Sequence, residues 1–419
     1  MTDSMMTKSR SLEDWLCYFE HQHQTTIDLG LERVGAVARK MGLTSLVMPV
    51  ITVAGTNGKG STCRLIEQLL LAKGYQVGVY SSPHISDYRE RVRINDQLPP
   101  KQAFCDAFAA IEEARGDISL TYFEVGTLVA LWLFRQSSPD YVVLEVGLGG
   151  RLDATNIIDA DVAVVTTIAL DHESYLGSDV MQIGREKAGI FRRHGRAVTG
   201  DPEIVSSVIE AANQLSCQLL ANGHQVHALF DEMNQCWSYQ GAHVTYRQLP
   251  IPHLPVDNAV AALAALEHLD ISLPETLVQQ VIGQWQLAGR MQLLQHSPEV
   301  FIDVAHNPQS AEYLAKQLTR LPKVAHTIAV CGMLADKDNQ HSVNSLIPCF
   351  DHWFIAGLGG ERGDNGDKLA TALENAAMTR CQSIQQAYEQ AMATAQAADR
   401  VVVFGSFVTV AAILAYRGG

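Results

Sequence analysis

Val50-Ile51-Thr52-Val53-Ala54-Gly55-Thr56-Asn57-Gly58-Lys59-Gly60-Ser61-Thr62 is the stretch that decides how the chain is read. An apolar, β-branched run gives way to a loop with three glycines and one lysine, and hydroxyl side chains follow. From Thr62 the apolar residues Leu65, Ile66, Leu69 and Leu70 recur at helical spacing, and Lys73-Gly74 closes the helix. Strand, glycine-rich loop and helix is the geometry that cradles phosphates. Glycines let successive backbone N–H groups turn inward, the helix start adds positive potential, and the lysine reaches a terminal phosphate. An ordinary βα turn would explain the glycines but not a lysine flanked by them at a helix start. Gly55, Thr56, Asn57, Gly58, Lys59, Gly60 and Ser61 are therefore expected to bind ATP. The loop departs from the usual P-loop, because only Thr56 and Asn57 separate Gly55 from Gly58 and Gly60 divides Lys59 from Ser61. Whether Ser61 is the magnesium ligand of the ordinary motif stays open.

At 419 residues two domains are expected. Hydrophobic residues at 47% and charged residues at 18% fit a folded enzyme and exclude a disordered chain. The net charge of −14 argues against a protein built to hold nucleic acid or an anionic membrane surface, while leaving small anionic ligands open. Cysteines 17, 63, 105, 217, 236, 331, 349 and 381 form no Cys-x-x-Cys pair, so reduced, mostly buried thiols are expected, without disulfides or zinc. Met1–Gln24 lacks the apolar core of a signal peptide. Val401–Ala415 falls short of the roughly 20 apolar residues of a membrane span and is broken by Gly405-Ser406. A cytoplasmic monomer is the expectation.

Outward from the loop, Val50–Ala54, Gln76–Tyr80, Tyr141–Val146 and Asp161–Ile168 read as buried strands, with helices at Lys101–Ala114 and Phe123–Gln136. That alternation predicts an α/β fold with a parallel sheet covered by helices, binding ligands beyond its carboxyl ends. Residues 217–250 are less regular, with short antiparallel strands expected at 236–239 and 244–246, and Asn258–Leu269 reads as a helix. A second series follows: strands at 300–304, 326–331, 352–356 and 400–404, with helices at 310–318 and 384–395. The joint is placed at Leu287–Ser297. This gives a parallel-sheet ATPase domain over residues 1–288 and a smaller Rossmann-like α/β domain over 289–419.

Glu145 ends an apolar strand and opens the glycine-rich run Val146-Gly147-Leu148-Gly149-Gly150-Arg151-Leu152-Asp153-Ala154-Thr155-Asn156. A lone buried carboxylate is costly, whereas one beside phosphates can hold Mg²⁺, which takes oxygen ligands. An edge-strand glutamate facing solvent is the weaker alternative. His172 follows another strand end between Asp171 and Glu173, which makes it a candidate ligand or general base, although most lone histidines are structural. Lys187 lies among small residues in Gly184–Ile190 and by itself reads as a surface charge. Asp303-Val304-Ala305-His306-Asn307-Pro308 is either an Asx turn or a substrate-facing loop.

Together these segments, with Ser81-Ser82-Pro83-His84, Leu170-Asp171-His172 and Ser178–Ile190, resemble the folylpolyglutamate synthase/dihydrofolate synthase family of ATP-dependent Mur-type ligases over nearly the whole chain. The resemblance implies that ATP phosphorylates a carboxylate, the amine of L-glutamate attacks the acyl phosphate, and phosphate leaves. It implies two Mg²⁺ ions held by Ser82, Glu145 and His172, with Lys187 as a carbamate supplying further oxygens. Lys59, His172 and Lys187 become the catalytic candidates. Asn258 is similar to the family's adenine-side asparagine, though His253–Asp257 stands where many members carry a Gly-x-His-Gln lead-in. Arg290 and Asp303 resemble nucleotide-contacting residues and His306 a glutamate-side residue. Ile27, Asp28 and Leu29, with Tyr122, Phe123, Glu124, Leu152, Asp153 and Ala154, resemble the pterin and folate loops of members that use both dihydropteroate and reduced folates.

Two other readings share part of this pattern. A peptidoglycan-precursor Mur ligase would carry a further N-terminal domain, for which the roughly fifty residues before the loop leave no room. A nucleotide-binding switch would need the loop but not Arg290, Asp303 and His306.

Overall fold

Val50–Ala54 (β1) is buried at all five positions, as a strand must be when helices cover both faces of its sheet. In the computed structural model, which describes residues 10–360 and 363–418, β1 lies inside a seven-stranded sheet. Its other strands are Val77–Tyr80 (β2), Val92–Ile94 (β3), Tyr141–Glu145 (β4), Val162–Val165 (β5), Arg196–Thr199 (β6) and Gln218–Ala221 (β7). The order is β3-β2-β4-β1-β5-β6-β7, parallel throughout except that β3 runs antiparallel to β2. The chain passes from β1 over β4 to β2, then returns from β4 across β1 to β5. The order therefore reverses at β1 and β4, and the crevice beyond their carboxyl ends is where such sheets bind ligands.

β3, β6 and β7 escaped the sequence reading because each is only three or four residues long and begins with, or contains, a polar residue. A three-stranded antiparallel sheet follows, His227–Asp231 (β8), Cys236–Gln240 (β9) and Thr245–Pro250 (β10), of which β8 was not expected. By its internal contacts the chain divides into Met1–His84 with Tyr88–Trp285, and Ile85–Asp87 with Gln286–Gly419.

The second unit has a six-stranded sheet in the order β11-β12-β16-β13-β14-β15. Its strands are Gln292–His296 (β11), Glu299–Ile302 (β12), Thr327–Cys331 (β13), His352–Ala356 (β14), Met378–Cys381 (β15) and Arg400–Phe404 (β16). Only β11 is antiparallel, and it occupies five residues of the segment read as the joint; its polar sequence Gln-Leu-Leu-Gln-His hides it. Gly405-Ser406 separates β16 from the helix Phe407–Gly418, so the apolar stretch is a strand and then a helix. Among the described residues no helix is long and apolar enough to cross a membrane. All eight cysteines are free, but only Cys63 and Cys331 are fully buried, five are half-buried and Cys17 is exposed. The expectation of mostly buried thiols is thus corrected: Cys17 and Cys105 lie on helices with a face toward solvent, and Cys236 and Cys381 at strand ends.

One close contact tests the packing of the first sheet. Gly78 in β2 faces the buried ring of Phe134, and a Cβ there would lie 2.6 Å from the ring. The Gly78→Ala variant should lose about 1–3 kcal/mol in urea denaturation, as overpacked cores do, and Phe134→Leu should restore part of it. A wild-type midpoint in the single variant would show that the ring can move aside.

Candidate active site

The phosphate-type loop is shaped by contacts that leave no space for side chains. Gly55 has φ +151°, and a Cβ there would fall 1.8 Å from Thr166 Oγ1. Gly58 has φ +89°, with Asn258 Oδ1 2.4 Å from the same virtual atom. Only glycine meets both conditions. Between them the loop is tied to the strand end next door. The Asn57 carbonyl accepts from Thr166 Oγ1 at 2.6 Å and Thr167 Oγ1 at 3.1 Å, and Thr56 N donates to Thr167 O at 2.7 Å. Thr166 and Thr167, which lie just past β5, were missed in the sequence because an isolated Thr-Thr pair carries no motif.

The helix Lys59–Lys73 starts directly from this loop. Lys59 Nζ donates back to Gly55 O at 2.9 Å and Thr56 O at 3.1 Å, so its charge lies within the loop. Ser61 is buried, donates to Gly58 O at 3.0 Å, and accepts from Asn258 Nδ2 at 2.9 Å. Asn258, expected beside adenine, has its side-chain amide committed to the phosphate-type loop.

Lys187 is no surface charge. It is 4% exposed, and its Nζ donates to the same Gly55 carbonyl at 3.0 Å. Burial first, and then the positive charge of Lys59, push its pKa down to about 7, against the pull of Asp171 and Asp153. The amine can therefore shed its proton near neutrality.

Glu145 closes β4 and pairs in register with Val53, two residues before Gly55. It is 5% exposed, and its Oε2 accepts from the backbone N–H of Ser82 at 3.1 Å. The Glu145 carboxylate is thus tied to the backbone of Ser82 at the strand crossover, and a carboxylate and a serine are residue types that supply the hard oxygens a magnesium ion takes, with phosphate and water completing the set. Among the described residues no three His, Cys, Asp or Glu side chains form a metal cage. Mg²⁺ does not require one. His172 has φ +53°, and its backbone N–H donates to Asp171 Oδ1 at 2.8 Å.

The loop after Glu145 is folded on Asp153. Its carboxylate accepts from Gly147 N at 3.0 Å, Leu148 N at 2.9 Å, Thr155 N at 3.0 Å and Thr155 Oγ1 at 2.6 Å. Burial raises its pKa in spite of these donors. Asp153, expected to touch the pterin, spends its carboxylate on its own loop, while Ala154 is buried and Leu152 half-buried. Phe123 packs the tip of its ring against Gly147, where a Cβ would fall 2.4 Å from it.

Asp28 lies on a partly exposed loop between half-buried Ile27 and Leu29. Arg33 holds it, with Nη1 2.7 Å from Asp28 Oδ2 and Nη2 donating to Asp28 O at 2.7 Å. The same guanidinium stands 3.3 Å from buried Glu124 Oε1, a charge contact without hydrogen-bond geometry. Glu124 closes a capping box with Thr121, so it also fixes the start of the helix Tyr122–Ser137. His23 bridges Asp28 and Ser119 at 3.1 and 3.0 Å. Half-buried Tyr122 takes the Arg91 guanidinium over its ring at 5.4 Å. Arg33, His23 and Arg91 were not singled out in the sequence, since lone basic residues rarely signal a site.

In the second unit Asp303 is buried, and its oxygens accept from Met291 N at 2.8 Å and Ala305 N at 2.7 Å. Burial raises its pKa, with Arg290 opposing. Arg290 stacks its guanidinium 5.3 Å above Phe407, and His306 Nδ1 lies 2.8 Å from Val304 O. The strand end thus gathers Arg290, Asp303 and His306. A separate cavity of about 250 Å³, lined by Arg196, Gln218, His243, Glu267, His268 and Asp270, sits by the amino ends of β6 and β7, away from the phosphate-type loop.

Two family profiles match. One described as Mur ligase middle domain covers residues 53–266, and one described as Mur ligase, glutamate ligase domain covers residues 289–407. A nucleotide-type sheet followed by that second domain defines a Mur ligase. The dihydrofolate synthase/folylpolyglutamate synthase of Escherichia coli (strain K12) is 50% identical over 403 residues, 96% of this chain and 94% of that protein. The Haemophilus influenzae protein of the same name is 42% identical, with 98% of each covered. The structure of E. coli FolC in complex with DHPP and ADP matches with a TM-score of 0.94 at 48% identity, with 98% of each chain covered. A bifunctional folylpolyglutamate synthase/dihydrofolate synthase with Mn, AMPPNP and L-glutamate bound matches at 0.92 and 44%, covering 98% and 99%. The chain belongs to the dihydrofolate synthase/folylpolyglutamate synthase family.

Lys187 gives the site a pH signature. Its pKa is about 7 in the fold against an ordinary 10.5, so below pH 7 the folded protein carries a poorly solvated ammonium. Between pH 7 and 10.5 the unfolded chain holds a proton that the folded one lacks, and the burden on stability fades as pH rises. In CO₂-free buffer Lys187→Met should be more stable than wild type at pH 6, by on the order of 2–4 kcal/mol, with the gap closing toward pH 10. A gap independent of pH in chemical denaturation would rule out this titration.

Proposed function

We propose that the chain joins L-glutamate to dihydropteroate, giving dihydrofolate, and to the γ-carboxyl group of reduced folates, in both cases at the expense of ATP. The observation that carries this reading is the register of Val53 with Glu145. It sets a carboxylate beside a phosphate-type loop in a chain that shares half its residues with a bifunctional relative. The γ-phosphoryl group passes to a carboxylate oxygen of the acceptor and ADP leaves. The glutamate amine then attacks the acyl carbon, gives up its proton, and phosphate departs from the tetrahedral intermediate. Little covalent work falls to the protein, whose part is positioning and charge neutralisation.

In this scheme Lys59 moves from the loop carbonyls to the β- and γ-phosphates, which the loop amides also hold. Glu145 and Ser82 would hold one Mg²⁺, which would neutralise phosphate charge as it transfers. His172 shares in metal binding. Lys187, able to become a neutral amine near pH 7, would add its nitrogen to the carbon of CO₂ and release one N–H proton to solvent, and the resulting carbamate would offer oxygens to a second Mg²⁺. Ile27–Leu29, Tyr122, Phe123 and the loop over Leu152–Ala154 receive the pterin, with Asp153 acting through the loop it folds. Asn258, Arg290 and Asp303 serve the nucleotide and His306 the incoming glutamate. A cytoplasmic monomer fits a small-molecule ligase of this kind.

Purified protein given ATP and dihydropteroate should release phosphate only when L-glutamate is present, and mass spectrometry should find glutamate added to dihydropteroate and, separately, to tetrahydrofolate. Glutamate-independent turnover would favour the nucleotide switch. Lys59→Ala should lower kcat about 10²–10³-fold, the scale for removing one charge stabiliser, while still unfolding cooperatively. Wild-type turnover in that variant would remove Lys59 from the phosphates.

The carbamate has its own test. Lys187→Ala should lose most activity, and a short carboxylic acid should return part of it. Depleting bicarbonate should slow the wild type and leave the rescued variant unaffected. Full activity in Lys187→Ala would end the assignment.

A further inference from the structure

We propose that Arg93, through Ser81, is a positioning residue that sets the metal-binding pair Ser82 and Glu145 against the helix that begins at Lys59. The proposal rests on the reading of Ser82 and Glu145 given above.

Glu67 lies in that helix, two turns beyond Lys59, and is completely buried. Its carboxylate accepts from Arg93 Nε at 3.1 and 3.2 Å, from Arg93 Nη2 at 2.9 Å, and from Arg64 Nη1 at 2.9 Å. Arg64 is in turn paired with Asp96. The remaining nitrogen of Arg93, Nη1, donates to Ser81 Oγ at 3.0 Å and Glu90 O at 3.3 Å. One planar guanidinium, on β3, therefore bonds the helix with one edge and the turn after β2 with the other.

That turn leads straight to the metal pair. Ser81 N donates to Arg91 O at 2.9 Å, and the next amide, Ser82 N, donates to Glu145 Oε2 at 3.1 Å. The Ser82 hydroxyl thus inherits its place from a residue whose neighbour is held by Arg93. Burying an ionic cluster of this kind seldom adds stability over apolar packing. What it does supply is a fixed distance between the end of β2 and the helix carrying Lys59. A lysine at position 93 would keep the charge but lose the fork, because an ammonium cannot lie flat between a carboxylate and a hydroxyl.

The test titrates Mn²⁺ into protein saturated with AMPPNP and follows free Mn²⁺ by electron paramagnetic resonance. Ser81→Ala, Arg93→Met and Arg93→Lys should bind Mn²⁺ about tenfold or more weakly, the scale for losing an outer partner of a metal ligand. Their affinity for AMPPNP without metal should be unchanged, and kcat should recover at saturating metal. If Ser82→Ala weakens Mn²⁺ binding while these three bind it like wild type, the relay is wrong and the metal pair stands, even if the variants melt earlier. If Ser82→Ala also binds like wild type, the pair falls and the relay with it. Should Arg93→Met fail to fold, Ser81→Ala decides, since it deletes one hydroxyl.

Discussion

The loop from β1 to its helix passes so close to its neighbours that two of its positions cannot carry a side chain. Gly55 is pressed on Thr166 and Gly58 on Asn258, so the end of β5 and the helix Val256–His268 are both fitted to the loop. Either contact alone would permit a looser path. Held from both sides, the backbone reaches the helix start along one path. The register of β4 against β1 then decides which carboxylate stands beside that loop, and it is Glu145.

Charge at the site runs opposite to the chain as a whole. A protein with a net charge of −14 places two lysines on a single carbonyl oxygen, that of Gly55. Lys59 has Thr56 O as a second acceptor and is half-buried, so the fully buried Lys187 is the one whose protonated form suffers, first from burial and then from the charge of Lys59.

Much of this was legible in the sequence, and particular residues show why. The strand over Val50–Ala54 and the glycines after it need only local periodicity and backbone conformation, which a linear chain displays. Glu145 could be placed because a carboxylate ending an apolar strand is costly unless used. The short polar strands β3, β11 and β15 could not, since their pairing comes from neighbours far along the chain. Burial of Lys187 was invisible for the same reason: nothing near residue 187 in sequence reports that Gly55 lies above it. Arg93 acts through a partner 26 residues away, so its role exists only in the folded chain.

The loop that Asp153 closes has a thermodynamic meaning beyond its shape. With four donors gathered on one carboxylate, Gly147 to Thr155 is already in a single conformation before any substrate arrives. The entropy of ordering those residues is lost during folding, where the cooperativity of the whole domain offsets it, and not during each encounter with ligand. A ligand that fitted the loop would keep its contact energy as affinity. One that fits poorly cannot recover by remodelling it, and selectivity at this place becomes a matter of outline more than of adaptation.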